Sequence, residues 1–378
     1  MNTKLHKIIF LVLFWFFSSD LNAQTNLWST EKANEWYKKQ GWLVGSNFTP
    51  AYAINQLEFW QADTFDPIRI DKELGWAHKI GMNTMRVFLH DLLYQQDPNG
   101  FLDRIDQFLR IANKHHVKIM FVLFDSCWDP NPFSGKQREP KPGVHNSGWV
   151  QSPGADALRD SSQYLRLERY VKAVIGHYSK DPRILIWDLW NEPDNMNQSS
   201  YGKIEPHNKI VLVNNLLEKS FQWARAENPS QPLTSGLWIG GHNWSVPEAL
   251  SPTEKIQLRY SDIITYHSYD LPAEFEKRII SLQVYNRPIL CTEYMARPRG
   301  NTFQNALPLG KRYNVGMYNW GFVEGKTQTN YPWDSWEKAY LKEPALWFHD
   351  IFRINGIPYM QAEVDFIKQL STLKKSQY

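Results

Sequence analysis

Apolar runs with the length of β-strands alternate with amphipathic, helix-like stretches from about residue 40 onward. Eight strands are predicted, at residues 42–48, 83–89, 117–124, 184–190, 233–238, 263–267, 289–293 and 316–320. Helices are predicted near residues 67–80, 100–115, 157–179, 207–227, 244–259, 272–285 and 302–313, with two more from about 343 and near 360–374. Strands that alternate with helices form parallel sheets, and eight such units close into a (β/α)8 barrel of about 250 residues. The pattern therefore predicts an α/β protein built as a single-domain (β/α)8 TIM barrel.

The charges of the chain are close to balanced, with 42 Lys and Arg against 39 Asp and Glu and a net charge of +3. No block of like charges indicates binding to nucleic acid or to an anionic membrane. The two cysteines, Cys127 and Cys291, lie near the ends of the predicted third and seventh strands, which are not neighbours in a barrel. We interpret them as buried thiols rather than as a disulfide.

Residues 1–23 have the features of a secretory signal peptide. A basic start precedes an apolar run over residues 8–17, and Leu21-Asn22-Ala23 resembles a cleavage site. The apolar run is shorter than the roughly 20 residues that a membrane-spanning helix needs. We therefore expect an exported protein, periplasmic or secreted, whose residues 24–378 form the barrel and do not span a membrane.

Two predicted strands end in a glutamate. The run over residues 184–190 leads directly into Asn191-Glu192-Pro193, and the run over residues 289–293 ends at Glu293. The carboxyl ends of the strands form the edge of a barrel at which active sites lie, and strands four and seven are on opposite sides of its axis. Glycoside hydrolysis requires two carboxyl groups that face each other across a bound sugar. The pair therefore points to a glycosidase.

With these motifs the chain resembles the clan A glycoside hydrolases, and among them the cellulase-like enzymes of glycoside hydrolase family 5. The resemblance covers nearly all of residues 24–378. It implies that Glu192 is the acid/base and Glu293 the nucleophile of a retaining reaction. It also implies that Asn191 hydrogen-bonds the 2-hydroxyl of the sugar in the −1 subsite, a contact that strengthens in the transition state.

Further positions match the same family. The resemblance implies that Arg86, on the second strand, lies beneath the nucleophile and keeps it ionised. His267 and Tyr269 match the His-x-Tyr motif of the sixth strand, in which the tyrosine hydroxyl bonds to the nucleophile. Trp320, on the eighth strand, matches the tryptophan that forms the floor of the −1 subsite.

The end of the third strand departs from the family pattern. Family 5 enzymes often carry a histidine there, whereas this chain reads Phe124-Asp125-Ser126-Cys127. Either Asp125 takes over a contact to a sugar hydroxyl, or the chain belongs to a sister family with a different −1 subsite. The difference bears on the substrate more than on the mechanism.

Long connections follow the third and the eighth predicted strands, over residues 125–156 and 321–336. Connections of this length in compact domains are usually functional or disordered, and their aromatic content argues for function. The chain is rich in aromatic residues, which make up 15% of it, and sugar rings stack on exposed Trp and Tyr. The loop residues expected to bind sugar are Trp128, Trp149 and Trp333, and the other candidates are Trp238, Trp244, Tyr331, His145 and His242.

The sequence therefore predicts a retaining β-glycoside hydrolase that cleaves β-linked glycans or oligosaccharides by double displacement, without a metal or an organic cofactor. Two alternatives stay open: a transglycosylase on the same residues, and a catalytically inactive barrel that binds carbohydrate. The sugar and its linkage, endo or exo action and the oligomeric state also stay open at this stage.

Overall fold

The computed structural model describes residues 27–372. The predicted signal peptide, residues 1–23, lies outside the described residues. All eight predicted strands are present, although the fifth is short. They are β1 (Val44–Asn47), β2 (Thr84–Phe88), β3 (Lys118–Asp125), β4 (Ile184–Asn191), β5 (Leu233–Thr234), β6 (Ile264–His267), β7 (Ile289–Tyr294) and β8 (Gly316–Asn319).

The strands form one parallel sheet in the order β5-β4-β3-β2-β1-β8-β7-β6. Its two edges, β5 and β6, meet through a single parallel bridge between Leu237 and Tyr266. There the Leu237 amide donates to the Thr265 carbonyl at 2.9 Å, and the His267 amide donates to the Leu237 carbonyl at 2.8 Å. The sheet is thus a nearly closed barrel, and the predicted (β/α)8 fold is confirmed.

Helices occupy the connections between strands. They are α1 (Thr30–Lys38), α2 (Gln56–Trp60), α3 (Pro67–Lys79), α4 (Asp91–Gln96), α5 (Pro98–Lys114), α6 (Ala155–Arg159), α7 (Tyr164–His177), α8 (Lys209–Ala226), α9 (Pro252–Tyr260), α10 (Pro272–Gln283), α11 (Phe303–Arg312) and α12 (Gln361–Thr372). The pattern had not predicted α1, α2 and α4. The helix predicted over residues 157–179 is interrupted at Asp160, whose side chain accepts from the Ser162 amide instead of continuing α6.

Two other helix predictions differ from the structure. The helix predicted over residues 244–259 begins only at Pro252, because Ser251 and Glu254 form a capping box there. The helix predicted from about residue 343 is absent, since the structure has turns and extended chain over residues 343–360. Arg297 binds carbonyl oxygens of this segment, at 2.6 Å from that of His349, and so replaces helical hydrogen bonds with tertiary ones.

The interior of the barrel is filled by side chains at the end remote from the carboxyl edge. Met120, Ile186, Leu290 and Tyr318 pack there, together with Tyr37 from α1, which covers the bottom of the barrel. A larger apolar cluster lies between the strands and the surrounding helices. Polar side chains therefore concentrate at the opposite end, where β4 and β7 deliver the two glutamates. Among residues 27–372, no helix has the length and apolar character needed to cross a membrane.

Candidate active site

Glu192 and Glu293 face each other across the mouth of the barrel. Glu192 directly follows β4, whose eight residues are all buried, and Glu293 lies within β7. One carboxylate oxygen of each residue and a ring nitrogen of His267 all lie within 4.8 Å of one another. Such a group of three ligand atoms could also hold a metal ion. The two carboxyl groups are thus close enough to act on one bound atom.

The main chain turns sharply at Glu192. Its φ angle is 43°, in the left-handed region that residues other than glycine rarely adopt. Pro193 follows and has no amide hydrogen with which to continue the strand ladder. The carbonyl of Glu192 then accepts from the Asn195 amide at 3.0 Å, which folds the chain back beside the carboxyl group. This turn directs the Glu192 side chain over the barrel mouth.

Glu293 lies between a cation and a phenol. The Arg86 Nη1 donates to Glu293 Oε1 at 3.1 Å, and the Tyr269 hydroxyl donates to Oε2 at 2.9 Å. The Glu293 residue is only 6% exposed. Hydrogen bonds and a cation directed at both oxygens stabilise the ionised carboxylate. These contacts place Arg86 and Tyr269 where the family resemblance implied them.

Arg86 is completely buried and is itself held by a polar cluster. Its Nε and Nη2 donate to Asp188 Oδ2 at 3.0 and 2.8 Å, and its Nη1 also donates to Asn47 Oδ1 at 2.9 Å. Its Nη2 bonds in addition to Asn191 Oδ1 at 2.7 Å. Burial disfavours the guanidinium charge, but the neighbouring carboxylates of Asp188 and Glu293 outweigh it and raise the pKa of Arg86. The sequence analysis did not identify Asp188 or Asn47, although an aspartate within an apolar strand was a visible signal.

Glu192 has a different set of partners, none of which is a cation in direct contact. Its Oε1 lies 2.9 Å from His267 Nδ1, and its Oε2 accepts from Asn195 Nδ2 at 2.7 Å and from the Cys127 thiol at 3.2 Å. The sequence analysis identified His267 but not Asn195 or the role of Cys127. Cys127 and Cys291 are both free and buried, as predicted.

The protonation of the two glutamates is coupled because they share one buried site. Burial raises the pKa of Glu192, and burial together with the charge of Glu192 raises the pKa of Glu293 to about 6. The direct contact of Arg86 with Glu293 favours ionisation of Glu293 before Glu192. Burial lowers the pKa of His267 to about 4, so that its ring is neutral at pH 7. The arrangement therefore favours a charged Glu293 beside a Glu192 whose pKa is raised and which keeps its proton more readily.

Asn191 and Asp125 support one another beneath this pair. Asn191 Nδ2 donates to Asp125 Oδ1 at 2.9 Å, and Trp149 Nε1 donates to Asp125 Oδ2 at 2.6 Å. Asp125 is 1% exposed and is absent from the cavity wall, whereas Asn191 lines it. Because the oxygens of Asp125 are already occupied by protein donors, it does not face a sugar in this structure. It holds Asn191 and Trp149 in place instead.

A cavity of about 750 Å³ opens above the two glutamates. Aromatic rings form much of its wall, and those that line it are Trp128, Trp149, Trp238, Tyr269, Trp320 and Trp333. His145 also lines the cavity. Of the other candidates, Trp244 is fully buried and donates to Glu254, while Tyr331 and His242 lie outside the wall. The structure thus brings Trp128, Trp149, Trp320 and Trp333 together around the glutamates.

An eight-stranded parallel barrel with two carboxyl groups facing each other at its carboxyl edge has the architecture of the barrel glycosidases. The chain belongs to glycosyl hydrolase family 5, because the cellulase model of that family matches residues 69–320. The fold and the geometry of the site agree with membership of this family of glycoside hydrolases.

Three relatives illustrate the similarity. The chain is 33% identical over 96 residues to mannan endo-1,4-beta-mannosidase A from Podospora anserina, an alignment that spans 25% of this chain and 23% of that protein. The endo-beta-1,4-mannanase from Thermotoga petrophila shares the fold with a TM-score of 0.55 at 15% identity, over 89% of this chain and 78% of its own. The exo-beta-1,4-mannosidase from Opitutaceae bacterium strain TAV5 also shares the fold, with a TM-score of 0.54 at 18% identity. The match covers 87% of this chain and 59% of that protein.

Proposed function

We propose that the protein is a retaining β-glycosidase in which Glu293 is the nucleophile and Glu192 the acid/base. The proposal rests on one observation above all, the separation of less than 4.8 Å between an oxygen of each glutamate. In retaining enzymes the carboxyl groups are about 5–5.5 Å apart, whereas inverting enzymes need roughly 6.5–9.5 Å to admit a water molecule. The short separation favours direct attack on the sugar by one carboxylate.

The contacts of each glutamate suit its proposed role. Glu293 attacks the anomeric carbon while Arg86 and Tyr269 hold it ionised and oriented. Glu192 protonates the departing oxygen, and in the second half of the reaction it deprotonates the water that releases the sugar. In the resting enzyme the Nδ1 atom of the neutral His267 ring accepts a hydrogen bond from the protonated carboxyl group of Glu192. Its Nε2 then carries the hydrogen and points toward Glu293 Oε1, 3.6 Å away.

We propose β-mannosides as the first substrates to test. The names of the relatives support this choice, since they include a mannan endo-mannosidase, an endo-mannanase and an exo-mannosidase. The support is limited to the mannose class, because the alignment to the Podospora anserina enzyme spans about a quarter of each protein. Residues 1–23 also support export to the periplasm or the medium. Cell fractionation that recovers the protein, cleaved before Gln24, from the periplasm or medium tests this part of the proposal.

The decisive experiment compares Glu293→Ala and Glu192→Ala on aryl β-mannosides, with gluco, galacto and xylo analogues alongside. We expect Glu293→Ala to lose nearly all turnover. Glu192→Ala should retain the first step on substrates with good leaving groups and regain the second step with azide, which yields a β-glycosyl azide. Proton NMR of the wild-type reaction should detect the β-anomer first.

The exposed Glu248, outside the cavity wall, provides a matched control. Glu248→Ala should retain wild-type turnover. An α-anomeric first product would reject the retaining mechanism. Tight binding of oligosaccharides by the wild type without any cleavage would instead favour the inactive binding barrel.

A further inference from the structure

The two long loops above the barrel are joined to each other. The first connects β3 to α6, and the second follows β8. Gln328 in the second loop accepts from the Gly143 amide at 2.7 Å and donates to the Lys141 carbonyl at 2.7 Å. The Asn146 amide donates to the Thr327 carbonyl at 2.8 Å. These bonds fix the two loops as one wall.

Aromatic and histidine contacts continue the same wall. The His145 amide donates to Ser335 Oγ at 2.9 Å, and Trp336 Nε1 donates to the His145 carbonyl at 2.8 Å. Trp128 of the first loop stacks on Trp336 of the second, with centroids 5.3 Å apart and planes 14° from parallel. Because β3 and β8 flank β2 and β1 in the sheet order, the joined loops cover the β1–β2 side of the mouth.

The wall closes one side of the cavity. Within residues 27–372, no residue of β1, β2 or the connections that follow them lines the cavity, whose walls come from the ends of β3 to β8. Asn146, Trp149 and Trp320 line the cavity and also a separate void behind it of about 20 Å³, beside Asn47 and Phe88. A void of that size holds about one water molecule. The three side chains therefore act as a partition with no space for a sugar behind it.

The proposed chemistry determines which end of the substrate lies against the partition. Glu192 must lie next to the departing oxygen, so the leaving group occupies the side of the cavity beyond Glu192. That side is lined by residues 194–200 and 238–240. In a six-membered sugar ring, C4 lies opposite the anomeric carbon. The C4 hydroxyl of the sugar above Glu293 therefore points toward the partition.

We propose that the enzyme is exo-acting and removes one sugar at a time from the non-reducing end of a β-linked chain. The inference rests on the proposed retaining function. Asn146, Trp149 and Trp320 stop a second sugar from extending beyond the one above Glu293. The part of the cavity beyond Glu192 accommodates the remainder of the chain.

Asn146 provides an independent observation at the partition. The residue is 1% exposed, and neither its side-chain oxygen nor its nitrogen has a hydrogen-bond partner among the described residues. A buried amide without a partner is costly, and it can be satisfied by water, an ion or a ligand. A hydroxyl at the non-reducing end of the terminal sugar can satisfy both its donor and its acceptor. Recognition of that end is what an exo-acting enzyme requires.

The first test uses three substrates: p-nitrophenyl β-mannopyranoside, β-1,4-linked mannotetraose, and the same tetraose methylated at O4 of its non-reducing end. The corresponding glucose, galactose and xylose compounds are tested alongside. We expect cleavage of the aryl glycoside, release of only the monosaccharide from the free tetraose, and at least a hundredfold slower turnover of the methylated one. Internal cleavage of the methylated tetraose would overturn the exo inference while leaving the retaining glycosidase intact. No cleavage of any substrate would overturn both.

The second test uses Asn146→Gly. Glycine tolerates the positive φ of 48° at this position but lacks the amide. We expect the KM for the aryl glycoside to rise about tenfold while kcat changes less than threefold. The difference in turnover between the free and the methylated tetraose should also become smaller. Asn228→Gly is the matched control, because Asn228 is exposed, has a φ of 47° and lies outside the cavity wall. If Asn146→Gly left both the KM and the ratio of turnover between the free and the methylated tetraose unchanged, Asn146 would not recognise the terminal sugar.

Discussion

The thiol of Cys127 donates a hydrogen bond to Oε2 of Glu192, at a distance of 3.2 Å. The contact joins the end of β3 to the end of β4, in the segment where family 5 enzymes often carry a histidine and this chain does not. It gives the proposed acid/base a weak donor, whereas Glu293 is held by Arg86 and Tyr269. The difference between these environments suits the opposite tasks that we propose for the two glutamates.

Loss of the thiol should change the pH dependence of catalysis. A donor to a carboxylate stabilises its ionised form and lowers its pKa, so Cys127→Ala should raise the pKa of Glu192. Because Glu192 must be protonated to act as an acid, the alkaline limb of the pH profile of kcat/KM should move to higher pH. A hydrogen bond worth less than about 1 kcal/mol corresponds to a shift of about half a pH unit. A pH profile on an aryl glycoside measures the shift.

The groups that face Glu192 in that experiment come from several strands. They are Arg86 from β2, Asp125 and Cys127 from the end of β3, Asp194 from the turn after Glu192, His267 from β6, Tyr269 just after β6, and Glu293 from β7. Cys291→Ala serves as the control, since the Cys291 thiol donates to the main-chain carbonyl of Glu293 at 3.2 Å and not to a carboxylate. An alkaline limb that stays in place or moves to lower pH in Cys127→Ala would refute the contact as a determinant of the Glu192 pKa.

Tyr269→Phe should affect the other limb. The hydroxyl donates to Glu293 Oε2 at 2.9 Å, and its removal destabilises the ionised carboxylate. The pKa of Glu293, already raised to about 6 by burial and by the charge of Glu192, should rise further, and the acidic limb of kcat/KM should move to higher pH. Hydrogen bonds to charged groups contribute about 1.5–3 kcal/mol, so kcat should fall by roughly 10- to 100-fold. Steady-state kinetics over pH 4–9 measures both effects. If the role of Tyr269 were purely structural, the variant would give less active enzyme, but the limbs of its pH profile of kcat/KM would stay in place.

The buried pair of Arg86 and Asp188 should matter for stability. Both side chains are fully buried, with Nη2 and Oδ2 at 2.8 Å. Removal of one partner of a buried ion pair typically costs about 3–5 kcal/mol, because it leaves an uncompensated charge. We expect Asp188→Ala to lower the free energy of unfolding by up to that amount in a urea titration, because Glu293 still contacts Arg86 in the variant. Asp156→Ala, which breaks an exposed pair with Arg159, should change it by less than about 1 kcal/mol. Equal effects of the two substitutions would be inconsistent with this account.

Asp350 should make stability depend on pH. Burial raises its pKa to about 7, while Oδ1 accepts from Thr329 at 2.7 Å and Oδ2 has no partner among the described residues. The folded pKa exceeds the unfolded value of about 4, so the folded state binds more protons between these values, and this group stabilises less as pH rises from 4 to 7. Asp350→Asn should therefore raise the melting temperature at pH 8 relative to wild type, and more than at pH 5. An equal change at the two pH values would show that Asp350 does not titrate in this range.

The strands and the two glutamates could be predicted because their signals are local. Each strand is a short apolar run, and Glu192 and Glu293 stand at the ends of two of them. The sequence also placed Arg86 on the second strand and Tyr269 just after the sixth, and the structure brings both into contact with Glu293. Periodicity and position along the chain were sufficient for these features.

Other features depend on neighbours that are distant in sequence. Asp188 and Asn47 hold Arg86 from two other strands, and no local pattern connects the three residues. The helix expected from residue 343 is absent because Arg297 binds the carbonyl groups of that segment. The orientation of Asp125 depends on Trp149, 24 residues further along the chain. In each case tertiary contacts override what the local sequence favours.

The left-handed backbone at Glu192 has a consequence for engineering. Residues other than glycine store about 1 kcal/mol or more in this conformation, so Glu192→Gly should relieve strain in the folded protein. Directed evolution that selects only for heat resistance would consequently favour the loss of the proposed proton donor. A thermostabilisation campaign on this barrel should therefore keep codon 192 fixed, or score turnover in every round.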